Sequence, residues 1–203
     1  TVGMLIRGNT ADSNRLAGNT VVAAGAATGL RISDGDRNTI LNNTISNGAI
    51  GVDAVGTANS NRIDANGIDG SGNSGNGIVL SNGAATVVTN NDVRRYAGRG
   101  ILVAAGARRS VVFFNRVFGN TGATGHGIEV VGSTNNIVRN VLWSNAGIGV
   151  RVSGGVSNRI LNNDSVFNSG DGFTIGALAT GTRLHNNISA TNGGDGFRNS
   201  GSG

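Results

Sequence analysis

Cysteine, proline and lysine are absent from this 203-residue chain. Without cysteine there are no disulfides and no thiolate metal sites, and the redox compartment stays open. Without proline, and with no run of ten good helix formers, other residues must make frequent turns. All sixteen basic residues are arginines, against eleven acids, for a net charge of +5. Aromatic residues make up only 4%. No apolar run approaches the roughly 20 residues of a membrane-spanning helix, so no membrane span is expected. The chain starts at Thr1 without a recognisable signal peptide, as a processed or excised product would.

Glycine is abundant, at 36 residues, and asparagine nearly so. Such a composition can mark a low-complexity chain. Here 37% of residues are hydrophobic, and Ile, Val and Leu are spread evenly. Short strands joined by many turns satisfy both facts.

A search for internal periods identifies the unit. Gly followed by apolar–any–apolar occurs at 3, 29, 51, 77, 100, 127, 149 and 172, with a last partial copy at 196. Behind each of the first eight lies an apolar residue three places before an Asn: Asn19, Asn43, Asn66, Asn91, Asn115, Asn140, Asn163 and Asn187. Apolar–any–apolar is the period of a strand with one buried face. About 24 residues per unit accommodate three short strands and three corners. Stacked coils pair each strand in parallel with its equivalent and enclose a core that no single coil can bury. The expected fold is therefore all-β, a β-solenoid of about nine coils forming one domain over residues 1–203. Asn recurring at one coil position predicts an amide ladder. A second ladder is expected through Asn120, Asn145, Asn168 and Asn192.

These Gly-Φ-x-Φ and Φ-x-x-Asn units resemble the repeats of pectin-lyase-like right-handed parallel β-helix proteins. The resemblance covers nearly the whole chain. It implies a right-handed, single-stranded helix, with any substrate lying across the outer face of one sheet. The group spans polysaccharide lyases, hydrolases, epimerases, phage tailspikes and non-catalytic surface proteins.

The middle residues of the Gly-Φ-x-Φ runs should point outward: Leu5, Arg31, Asp53, Val79, Leu102, Glu129, Arg151, Thr174 and Arg198. Ion pairs between coils are then expected for Arg31 with Asp53 and for Glu129 with Arg151. The residues before each Gly form another stripe, including Asn76, Arg99, His126, Asp171 and Asp195. Carboxylates of Asp171 and Asp195 in successive coils would suit a retaining glycosidase, at roughly 5–5.5 Å, or a shared Ca²⁺. Asp before Gly is equally ordinary turn chemistry. The segment around His126, "GHGIEV", resembles the Gly-His-Gly motif of polygalacturonases, which would make His126 the active-site histidine. That family's paired aspartates and Arg-x-Lys are missing here, as is the Asp-Pro-His motif of mannuronan epimerases. His126, Glu129, Arg151, Asp171 and Asp195 are thus the candidates if catalysis occurs. No cofactor is called for, apart from the Ca²⁺ alternative at Asp171 and Asp195. Asp34-Gly-Asp36 and the Gly-rich stretch 70–77 read as turns.

Arg94, Arg95, Arg99, Arg108 and Arg109 form a basic band that could meet an acidic polysaccharide; nucleic acid is not the expected partner. Phe118 and Trp143 should stack on neighbouring coils, with core packing favoured over a sugar platform. The second strand is apolar at outward positions Leu41, Phe113, Val138 and Leu161, which invites lateral contact. Neither end shows an obvious cap, so residues 1–8 and 190–203 are expected to contact other polypeptide. The absence of complete catalytic sets favours a non-catalytic structural solenoid, extracellular or at the cell surface and stacking end to end. The alternative is a carbohydrate-active enzyme or binding module for acidic polysaccharide.

Overall fold

A computed structural model describes residues 1–73 and 75–201. Ser74, within the Gly-rich stretch, and residues 202 and 203, within the predicted terminal contact segment, lie outside the described residues. The chain winds into three parallel sheets, of nine, eight and eight strands. Each coil contributes one strand to each sheet, giving eight complete turns and the first strand of a ninth. First-sheet strands run from Val2–Arg7 to Phe197–Asn199, second-sheet strands from Arg15–Ala17 to Arg183–His185, and third-sheet strands from Thr20–Val22 to Ile188–Ala190.

The inward residues are those that the alternation predicts. Ile32, Leu80, Val103, Val130, Val152 and Ile175 align along the first sheet and are buried. They pack on Ile40, Ile63, Val88, Val112, Ile137 and Ile160 of the second sheet and on Ile45, Ile68, Val93, Val117 and Leu142 of the third. Each such side chain contributes about 1.5–3 kcal/mol by leaving water. The Gly of each Gly-Φ-x-Φ run faces this core where the third sheet comes close. A β-carbon on Gly127 would lie 2.6 Å from Leu142 Cδ2 and 2.6 Å from Gly149 O, so only glycine fits.

Asparagine holds the corners. Between the second and third sheets, Asn19, Asn43, Asn66, Asn91, Asn115, Asn140, Asn163 and Asn187 form one unbroken ladder. Each Nδ2 donates to the Oδ1 of the next, at 2.9 or 3.0 Å. The second ladder runs as expected through Asn120, Asn145, Asn168 and Asn192 at the third corner. The first corner carries a third series that the sequence reading omits: Asn14, Asn38 and Asn61, then Asn135 and Asn158. Buried Thr86 and Ser110 occupy its intervening steps. Its signal was present, since each member lies five residues before a member of the main ladder.

Phe118 and Trp143 are not in the core, which corrects the expectation. Val117 and Leu142 take the inward positions, and the two rings stack outside with centroids 4.2 Å apart and planes 9° from parallel. Trp143 covers one face of Phe118, and the Arg94 guanidinium lies over its ring, 5.9 Å from the centroid. The rings lie flat in the coil planes, so neither is a sugar platform looking outward.

Two substitutions test this architecture. Val130→Asp should bury a carboxylate without a partner and cost more than about 3 kcal/mol, read as a lower thermal midpoint. Asn115→Ala removes the acceptor of Asn91 N–H and the donor to Val88 O and Asn140 Oδ1. It should cost about 2 kcal/mol or more, measured by denaturant titration. A variant as stable as the parent would contradict the ladder's role.

Candidate functional site

The outer face of the first sheet gathers the charged groups. Arg31 and Asp53 are register partners on adjacent strands, with Nη2 and Oδ2 2.8 Å apart. Asp53 is only 3% exposed. Burial raises its pKa above the ordinary carboxylate value, outweighing the pull of Arg31. Val79, which is buried, and half-buried Leu102 follow in the next two coils. Beyond them lies the densest cluster, made of Arg99, His126, Glu129 and Arg151.

Glu129 is its centre. The carboxylate accepts from Arg99 Nε at 2.6 Å and faces Arg151 Nε at 3.7 Å. Burial alone would raise its pKa. Hydrogen bonds from Arg99 and Ser153, with the charges of both arginines, turn the net shift downward and keep it ionised. Glu129 and Arg151 stand in register on neighbouring strands, as the repeat spacing predicts.

His126 takes part in a pattern specific to the position before each Gly. Asn76 Oδ1 accepts the N–H of Arg99, and Asp171 Oδ1 accepts the N–H of Asp195, both at 2.8 Å. His126 Nδ1 likewise accepts the N–H of Ile148 at 3.0 Å. The ring is therefore a structural acceptor first. Gly147 leaves the room it needs, because a β-carbon there would collide with Nδ1. With Nδ1 accepting, the single proton of a neutral imidazole sits on Nε2. Burial pushes the His126 pKa down; Glu129 opposes this, while Arg151 and Arg99 add to it. Nε2 lies 3.2 Å from Arg151 Nη1, so two N–H donors face one another. A negatively charged oxygen bridging them from the solvent side would accept from both.

Asp171 and Asp195 are neighbours, as the sequence predicts, but both carboxylates are engaged. Asp171 Oδ2 accepts from Thr174 Oγ1 at 2.8 Å. Arg198 Nε lies 3.3 Å from Asp171 Oδ2 and 3.0 Å from Asp195 Oδ2. A protein cation thus occupies the place that a shared Ca²⁺ would take. Among the described residues, no group of three or more His, Cys, Asp or Glu converges as a metal site.

The basic band read from the sequence is divided around the coil. Arg94 and Arg95 both bind Asp69 on the third-sheet side. Burial would raise the Asp69 pKa, but hydrogen bonds from Arg95, the Ser71 N–H and Arg94 hold it at about 2. Arg99 belongs to the Glu129 cluster, while Arg108 and Arg109 lie exposed at the corner that leads into the second sheet. Leu41, Phe113, Val138 and Leu161 face outward on the second sheet, half-buried.

Protonating His126 would set a third N–H against the backbone donor of Ile148. Its lowered pKa therefore stabilises the fold above the ordinary value of 6.5, and that stability should fade as pH drops below it. His126→Asn would keep an acceptor, as Asn76 does two coils earlier in the same series. Thermal midpoints measured from neutral to mildly acidic pH should fall in the parent and stay level, through this window, in His126→Asn.

No curated protein matches the chain in sequence. Among solved structures it is similar to a periplasmic alginate epimerase double mutant, with a TM-score of 0.75 and 14% identity over 89% of this chain and 49% of that one. The A-module of the mannuronan C-5 epimerase of Azotobacter vinelandii gives 0.76 and 14%, over 95% and 57%. The enzymatically active domain of tailspike protein 2 of bacteriophage CBA120 gives 0.70 and 14%, over 88% and 31%. The chain spans about half the length of the epimerase structures it matches. These matches overturn the expectation of a non-catalytic structural or filament-forming solenoid, because the solved structures it resembles here are of enzymes. At this identity the likeness is one of fold. The right-handed β-helix region, as a family, matches residues 2–142, and with three parallel sheets and about 24 residues per turn the chain belongs to that family.

Proposed function

We propose that this chain is a carbohydrate-active protein that holds an acidic polysaccharide across the outer face of its first sheet. The observation that carries the reading is the pair of facing donors, His126 Nε2–H and Arg151 Nη1. One oxygen of a uronate carboxylate, placed on the solvent side of the pair, can bridge the two nitrogens and accept from both. Glu129, itself held by Arg99, orients Arg151, and half-buried Leu102, one coil before Glu129, offers an apolar contact for a sugar ring. Residues 1–203 act in this reading as one β-helix domain working outside the cytoplasm, as the periplasmic alginate epimerase does.

What the site supplies is stabilisation of negative charge developing on a carboxylate, as lyase or epimerase chemistry requires. Removing the C5 proton of a uronate pushes negative charge onto its carboxylate, which preorganised donors stabilise. Arg151 and His126 supply that neutralising half of the reaction. Glu129 fits a positioning role, because its lowered pKa makes it a weak base. Hydrolysis finds less support, since Asp171 and Asp195 are tied to Arg198, Thr174 and backbone rather than free to act as nucleophile and acid.

Arg151→Ala should weaken binding of short mannuronate or galacturonate oligomers by about tenfold or more, the loss of a charge-assisted contact, in isothermal titration calorimetry. Turnover, followed by proton NMR for epimerisation and by absorbance for unsaturated product, should fall with it. Unchanged oligomer affinity in Arg151→Ala would place the ligand elsewhere. Binding without turnover in the parent would make the protein a polysaccharide-binding module.

A further inference from the structure

Four sheet arginines, Arg31, Arg94, Arg116 and Arg151, each stand in register with the carboxylate they face, namely Asp53, Asp69, Asp92 and Glu129, one coil away. Arg7, Arg15 and Arg108 have no carboxylate as register partner, and Arg159 and Arg183 go further. They are register partners of each other on the second sheet, and among the described residues neither has a carboxylate within ion-pair distance. Like charges directly opposite one another destabilise a sheet. Such a pair is retained most readily where an external anion offsets the repulsion.

The surroundings reinforce this. Past Asp64, the outward positions of the second sheet carry no acid among the described residues. Exposed Arg109 and Arg139 stand in left-handed conformation at the corners on either side of it, and Arg139 lies over the Phe114 ring, 5.5 Å from its centroid. A shallow cleft beside Arg159 and Arg183 is also lined by Leu161 and His185. Between the cations run Phe113, Val138 and Leu161.

We infer that the second sheet, from Arg109 to Arg183, is a separate docking surface for a polyanionic polysaccharide, distinct from the first-sheet cluster. Coils repeat every 4.8 Å or so, close to the length of one pyranose unit. A uronate polymer lying along the helix axis would therefore bring about one carboxylate to each coil, with ring faces on the apolar stripe. The identity of the polymer rests on the proposed function, whereas the site and its residues do not. The surface would tether the polymer without touching the reacting unit.

The test compares the parent with the triple variant Arg139→Gln/Arg159→Gln/Arg183→Gln, each also made in an Arg151→Ala background. Probes are long polymannuronate and polygalacturonate, neutral dextran, and vesicles of phosphatidylglycerol. The triple variant should bind the long polyuronates about tenfold more weakly, with a shallower salt dependence. Its thermal midpoint should match or exceed the parent's, because a like-charge contact has been removed. The loss should persist in the Arg151→Ala background. Unchanged polyuronate affinity, equal binding of dextran, or binding of vesicles but of neither polyuronate would overturn the inference. An effect of the triple variant without any effect of Arg151→Ala would leave this surface standing and remove the first-sheet reading. The reverse result would do the opposite.

Discussion

The backbone amides at each corner of the solenoid are buried where the chain turns, and every one needs a partner. The rest of the structure depends on how this is met. The residue before a corner adopts a left-handed conformation, as Asn42, Asn90, Phe114, Arg139 and Asn162 do. The next residue then points inward, and an asparagine there meets both needs of the corner. Its Oδ1 accepts from the backbone N–H in the coil before, and its Nδ2 donates to a carbonyl and to the next Oδ1. An aspartate would lack the donor, and a leucine both functions. Fixed corners set the strand register, and register puts apolar side chains inside.

Charge is handled differently inside and outside this frame. Interior polar groups are amides and hydroxyls, most of them paired, with Asn38 Nδ2 and the Thr89 and Tyr96 hydroxyls left without a partner, and none carries the desolvation penalty of an ion. Apart from the exposed Asp195, carboxylates on the outer faces are half or fully sequestered, and arginines hold most of them. Asp69 is held between two guanidiniums and Asp195 shares one with Asp171. Against that background of neutralisation, the places where donors face donors stand apart: His126 against Arg151, and Arg159 against Arg183. Neither contact stabilises the free protein, and both would be relieved by the same kind of ligand.

The sequence made the frame legible and the site much less so. Eight asparagines at matching intervals, from Asn19 to Asn187, can be read from spacing alone because one physical need recurs in every coil. The series through Asn38 and Asn135 escaped because Thr86 and Ser110 interrupt its chemical uniformity, although its position is fixed. Val117 and Phe118 are both apolar, so alternation could not assign which faced inward. The aromatic stack was decided by the inward registration of Leu142 beside Val117. For His126, adjacency to Glu129 was readable. Its role as an acceptor for Ile148 N–H depends on the backbone of the following coil, which no local pattern encodes. The basic band around Arg94 to Arg109 was compact in sequence but wraps more than half a coil in space, from the third sheet past the first, and so it dissolved as a surface.

The lengths of the repeats differ, and the differences are not spread evenly. From Asn135 through Asn140 to Asn145, and from Asn158 through Asn163 to Asn168, the corners fall every five residues. Asn120 and Gly127 are seven apart, whereas Asn145 and Gly149 are four apart. Insertions are therefore confined to the margins of the first sheet, where no ladder counts residues. The extra residues before Gly127 form a turn at the rim of that sheet, beside His126. A chain built this way has two rates of permissible change. Two of its faces are locked by arithmetic, while the borders of the third can lengthen without disturbing a single amide pair. New specificity can be written along those borders while the core beneath keeps the same fold.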